Sequence, residues 1–124
     1  MSDRSEYAAE AARRWPDAYE IARQRRAQYG AEELSRAVAE GDAIAARFGE
    51  LMAAREPATG AAAMTLAEQH RLSIDRWYYP CSREMHSGLA DMYLADRRFT
   101  EYWESRAEGL TQYVHDAIWA NALQ

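Results

Sequence analysis

Leu34, Val38, Ala45, Phe48 and Met52 follow one another at spacings of three, four or seven, and nowhere does the chain keep an apolar–polar alternation of strand length. The first spacing lines one face of a helix, whereas a half-buried strand needs a spacing of two. Such a chain is confined to packing helix on helix. Its side chains agree with this. Alanine is abundant, β-branched residues are few, and all 15 basic residues are arginine. Ala, Arg, Glu, Leu and Met are strong helix formers. Without lysine, a Schiff-base mechanism and the usual phosphate-loop lysine are both excluded.

Breakers and caps divide the pattern into six to seven helices. The first covers about 6–14, until Trp15-Pro16 interrupts it. Pro16 suits the first position of a second helix, running to about 28. Gly30 stops that one, and a long helix follows over about 31–55. Gly41 falls on its apolar stripe, where a missing side chain would admit a backbone or a ligand. Residues 57–60, PATG, are a linker. The next helix, about 61–78, has Met64, Ala67, Ile74 and Trp77 or Tyr78 as its expected core stripe, and Pro80 ends it. Ser82 caps the following helix, and Asp96 caps another. Ser105 and Glu108 have capping-box spacing for a last helix bearing Leu110, Val114, Ala117 and Ile118.

A chain of 124 residues makes one domain with one modest core. Residues 61–124 carry most of the aromatics and should hold that core. Residues 1–56 are poor in large apolar side chains before Leu34. Two readings stand: the N-terminal helices order only when a partner supplies the missing surface, or they are thin helices packed permanently. The net charge of −5 argues against general nucleic-acid binding and offers little to an anionic membrane. No run approaches the ~20 apolar residues that span a bilayer. The start lacks a secretory signal, so a reduced cytoplasmic setting is expected.

Cys81 is the single cysteine, which excludes an intrachain disulfide. It follows Pro80 and precedes the Ser82 cap, where the positive end of the next helix would favour a thiolate and the turn would leave the sulfur reachable. The alternative is a small core hydrophobe. His70, His86 and Asp75 supply the residue types of a Cys-His-acid set, without any spacing that shows its geometry. No C-x-x-C or H-E-x-x-H pattern supports a metal, and no cofactor is expected. His115 is expected at the solvated surface. Trp77, Tyr78 and Tyr79 are consecutive, so they fan around the helix end and at least one must reach a surface or cleft. Such rings suit large, partly apolar ligands.

The segment WYYPCSREMHSGLADMYLADRRF (77–99) resembles the antibiotic-recognition domain of the thiostrepton-induced protein (TipAS) family. AEQHRLSIDR (67–76) and GLTQYVHDAIWANA (109–122) resemble it too, and RRWPDAYE (13–20) does so more weakly. The resemblance implies an all-helical, globin-like fold. It also implies binding of thiopeptide or other macrocyclic antibiotics, with no catalytic turnover. In such domains a cysteine thiol adds to a dehydroalanine of the ligand, and Cys81 occupies the matching position. Met85, His86, Leu89, Met92, Tyr93 and Trp103, with Trp77 and Tyr78, are expected near the cleft. Trp15 and Tyr19 are expected to join from the N-terminal side. Such domains often end MerR-family regulators, whose DNA-binding part a chain of this length would not carry. A standalone form would sequester antibiotic or sense it with a regulatory protein partner. The rival readings are a structural interaction module and a Cys-dependent hydrolase.

Overall fold

The computed structural model describes residues 14–124, which form six α-helices and no strand. The helix expected over 6–14 lies outside the described residues, apart from Arg14. Helix α1 (Pro16–Gln28) begins on its proline. Asp17 in its first turn and Arg25 and Arg26 in its last complement the helix dipole. Its backbone turns extended at Tyr29. Gly30 then caps α2 (Ala31–Ala53), and the Glu33 carboxylate accepts the Gly30 N–H at 2.8 Å. α3 spans Ala61–Trp77 and α4 spans Arg83–Ala95. The Ser82 hydroxyl caps α4 by accepting the Met85 N–H at 3.0 Å, as its position predicts. Asp96 likewise caps α5 (Arg97–Glu104) through the Arg98 N–H.

Helix α6 (Leu110–Ala122) starts differently from expectation. Gly109 is its cap, at φ 87°, a conformation natural only to glycine. The Ser105–Glu108 box is not used. The Glu104 carboxylate accepts the N–H groups of Gly109 (2.8 Å) and Thr111 (2.9 Å) instead. These hydrogen bonds and one from the Thr111 hydroxyl lower the pKa of Glu104.

Helices α2 to α6 share one core, in which α3 and α4 pack on α6, α2 packs on α3, and α5 closes the end. Phe48, Leu110, Val114 and Ile118 are fully buried within it. The buried face of α2 is Ala37, Ile44, Ala45 and Phe48, one step around from the expected stripe. Val38 is therefore exposed, and a side chain at Gly41 would meet open space. On α3 the buried row is Ala63, Leu66, Ala67, His70, Ser73 and Ile74, so Met64 and Trp77 sit at its edge. His115 is partly buried rather than solvated, held between Asp91 and Asp116 at 3.0 Å each. Helix α1 buries none of its own residues. The weakly packed part of the chain thus ends near Gly30, because α2 already commits Phe48 to the core.

Candidate functional site

Helix α1 crosses the C-terminal end of α3 and is held there by polar contacts. Arg25 donates to the carbonyl of Asp75 at 2.7 Å, and the Tyr29 hydroxyl donates to that of Trp77 at 2.7 Å. A helix end presents unpaired carbonyls, so Arg25 on α1 and Tyr29 just beyond it act as its cap. The rings of Tyr29 and Trp77 meet edge to face, with centroids 5.7 Å apart. Trp15 packs against Gly88 so closely that a β-carbon there would lie 3.2 Å from the indole. Gly88, rather than Gly41, is the glycine that admits a neighbour.

Between α1, the start of α2 and the end of α3 lies a groove of two adjoining hollows. The narrower, about 280 Å³, is lined by Tyr19, Ala22, Tyr29 and Leu34, with Trp77 and Tyr78 opposite. The wider, about 610 Å³, runs along Leu34, Val38 and Asp42. Both share Arg26, Leu34 and Tyr78. Glu40 fixes Trp77 by accepting its indole N–H at 3.2 Å, while also receiving the Ser73 hydroxyl and Arg76. Tyr78 is 38% exposed; partial burial raises its pKa, so the phenol is neutral at pH 7. The groove therefore offers flat aromatic and aliphatic walls with a few polar groups, as ligand clefts do. A third hollow, about 400 Å³, opens beside Trp15, Ile21 and Pro80.

Of the site residues expected from sequence, Tyr19, Trp77 and Tyr78 line this groove, and Trp15 lines the neighbouring hollow. Leu89, Met92, Tyr93 and Trp103 are instead core residues, as is His86 at 1% exposure. Met85 is half-buried against the same core. The expected cleft residues of α4 turn into the core instead, where His86 meets His70 of α3 and Tyr93 meets Phe99 and Trp103 of α5. Sequence reasoning missed Arg26, Tyr29, Leu34 and Val38 as lining. The readable signal was that the apolar residues of α2 span more than one face, leaving Leu34 and Val38 beside the core stripe.

Cys81 is 2% exposed and belongs to the core cluster. Its backbone is pinned from both sides: its N–H donates to Asp75 at 2.8 Å, and its carbonyl accepts Arg71 at 2.7 Å. Burial pushes the thiol pKa up to about 12, against the pull of Arg71. The expected thiolate at a reachable turn is not what this conformation holds. Nor does a histidine meet the sulfur. His70 Nδ1 and His86 Nε2 are hydrogen-bonded to each other at 2.9 Å, and the thiol's contact is with the Ser82 carbonyl at 3.7 Å. Burial lowers the pKa of both histidines, so both rings are neutral and one donates to the other. Among the described residues no group of three His, Cys, Asp or Glu is placed to hold a metal ion. None of the described helices is long and apolar enough to cross a membrane.

Residues 7–121 match the family model of the TipAS antibiotic-recognition domain. The chain is 41% identical over 124 residues to the HTH-type transcriptional activator TipA of Streptomyces coelicolor, a match covering 98% of this chain and 49% of that protein. It is 28% identical over 94 residues to the HTH-type transcriptional activator mta of Bacillus subtilis, covering 76% and 36%. It thus spans about half or less of these curated relatives. Among solved structures, TipAS from Streptomyces lividans in complex with nosiheptide superposes with a TM-score of 0.86 at 41% identity, covering 96% of this chain and 85% of that one. The antibiotic-binding domain of a TipA-class multidrug-resistance regulator gives 0.66 at 45% identity, covering 71% and 94%.

Proposed function

The chain belongs to the TipAS antibiotic-recognition domain family, and on that premise we propose that it binds thiopeptide antibiotics in the aromatic groove between α1, α2 and the end of α3. The observation that carries this is the convergence of Tyr19, Trp77 and Tyr78 on one hollow with apolar walls. A thiopeptide presents flat heterocycles, and stacking them on these rings removes apolar surface from water at about 25 cal/mol per Å². The likeness to the nosiheptide complex supports the same ligand class.

Groove binding is reversible in this conformation, because Cys81 is sealed and protonated. A pKa near 12 in place of the usual 9 leaves about a thousandfold less thiolate at pH 7. Capture is a second, slower step that needs Cys81 to become exposed. The sulfur–carbon bond then forms as the dehydroalanine double bond breaks, and the thiol proton passes to the adjacent carbon. No turnover follows, because no imidazole meets the sulfur and the adduct has no leaving group. The domain acts by sequestering or sensing antibiotic in a reduced cytoplasm.

Titration with nosiheptide, read by tryptophan fluorescence and followed by intact-mass analysis beside Cys81→Ala, tests both steps. We expect saturable quenching in both proteins. A one-to-one mass gain is expected only where Cys81 is present, and only after prolonged incubation. Absence of quenching in the unmodified chain would overturn the reading. Quenching without any mass gain would remove the capture step alone.

A further inference from the structure

Where the two hollows of the groove meet, the side chain of Arg26 lines both. The neighbouring arginines, the Tyr29 hydroxyl and the Trp77 indole are already used within the protein. Arg23 is paired with Glu20 at 2.8 Å, and Arg25 caps α3. The Tyr29 hydroxyl bonds the Trp77 carbonyl, and the Trp77 indole bonds Glu40. The Arg26 guanidinium has no carboxylate or carbonyl partner among the described residues, and it faces Tyr78, whose hydroxyl also lacks one. Asp42, the acid of the wider hollow, accepts the Tyr102 hydroxyl at 2.8 Å and Arg106 at 3.1 Å. Arg26 is thus an exposed, uncommitted cation at the junction of the two hollows, and a ligand laid on Trp77 and Tyr78 would shield it from water and so strengthen its hydrogen bonds.

We propose that Arg26 is the specificity-determining donor of the groove, reading a carbonyl oxygen on the edge of a heteroaromatic ligand whose flat body lies on Trp77 and Tyr78. This rests on the antibiotic-binding reading above and adds polar selection to it. A macrocyclic peptide offers backbone carbonyls beside its rings, and the planar guanidinium can donate two parallel hydrogen bonds to them. Purely hydrocarbon aromatics of the same size would leave the cation buried without a partner, and are rejected on that account.

The experiment measures nosiheptide affinity by tryptophan quenching for the unmodified chain, Arg26→Gln, Arg26→Lys and the control Arg97→Gln. Arg97 lies on α5, away from the groove, with its side chain 90% exposed. Arg26 is exposed as well, so neither change disturbs the core, and thermal melts check this directly. Arg26→Gln should weaken binding about tenfold or more, the size of a lost charge-assisted hydrogen bond. Arg26→Lys should recover part of it, and Arg97→Gln should stay within twofold. Equal affinity of Arg26→Gln and the unmodified chain would overturn the Arg26 assignment while leaving the groove reading intact. If the unmodified chain does not bind, both readings fall together.

Discussion

Trp77 shows how closely fold and site are joined at the level of single residues. Its carbonyl receives Tyr29, its indole N–H is fixed by Glu40, and its ring is left as a wall of the groove. A residue read from sequence as core or surface is both, because it sits where α3 runs out. His70 and His86 make the opposite case. Both were eligible for a site, and the structure uses them as a neutral pair inside a shell of Phe48, Tyr93 and Trp103 rings. Burial holds their folded pKa values below the usual histidine value of 6.5, with that of His70 at about 4. The unfolded chain therefore takes up these protons first. Stability should be complete above pH 6.5 and fall as pH drops below it. The loss should approach about 1.4 kcal/mol per pH unit for each histidine. Urea melts between pH 7 and 5 check this, and His70→Gln should flatten the slope by about half. A stability independent of pH across that interval would contradict the account. The histidine pair was not legible in the sequence. Both residues lie at helix-face positions, but their meeting depends on how α3 and α4 cross.

At the level of elements, starts were more readable than faces. Pro16, Ser82 and Asp96 act locally, through a fixed φ or one side-chain hydrogen bond, and each opens a helix as expected. The Ser105–Glu108 pattern failed because the helix begins later, at Leu110, where Glu104 from the preceding helix accepts the Gly109 and Thr111 N–H groups. The buried faces of α2 and α4 depend on which neighbour covers them, and periodicity leaves that choice open by about one residue. The end of α2 carries a testable anomaly. Arg55 has φ 63°, and its N–H and that of Glu56 bond back to Met52 and Leu51 at 3.0 Å each. This hydrogen-bond pair ends helices with a left-handed residue that is usually glycine. Arg55→Gly should relieve strain and stabilise the domain by about 0.5–1 kcal/mol, a rise of a few degrees in Tm. A fall in Tm would show that the arginine side chain contributes more than its backbone costs.

At the scale of the whole molecule, the described residues form a five-helix core with a sixth helix resting on it. Helix α2 belongs to the core through Phe48, whose truncation would cost about 3–5 kcal/mol. Helix α1 buries nothing of its own and is held by Arg25, Tyr29 and the neighbouring Trp15. Composition alone did not separate the two described N-terminal helices, because the contribution of α2 to the core rests on the small Ala37 and Ala45 as much as on Ile44 and Phe48. This arrangement places the groove along the seam between a firm body and a lightly held helix. The most direct test is to map nosiheptide binding on the backbone amide signals of the full chain by NMR. Shifts should concentrate at Tyr19, Arg26, Leu34, Val38, Trp77 and Tyr78, and leave His115 and Trp119, which do not line the groove, unmoved. Shifts confined to the separate hollow between Arg47 and Gln69, or no shifts at all at saturating ligand, would contradict it.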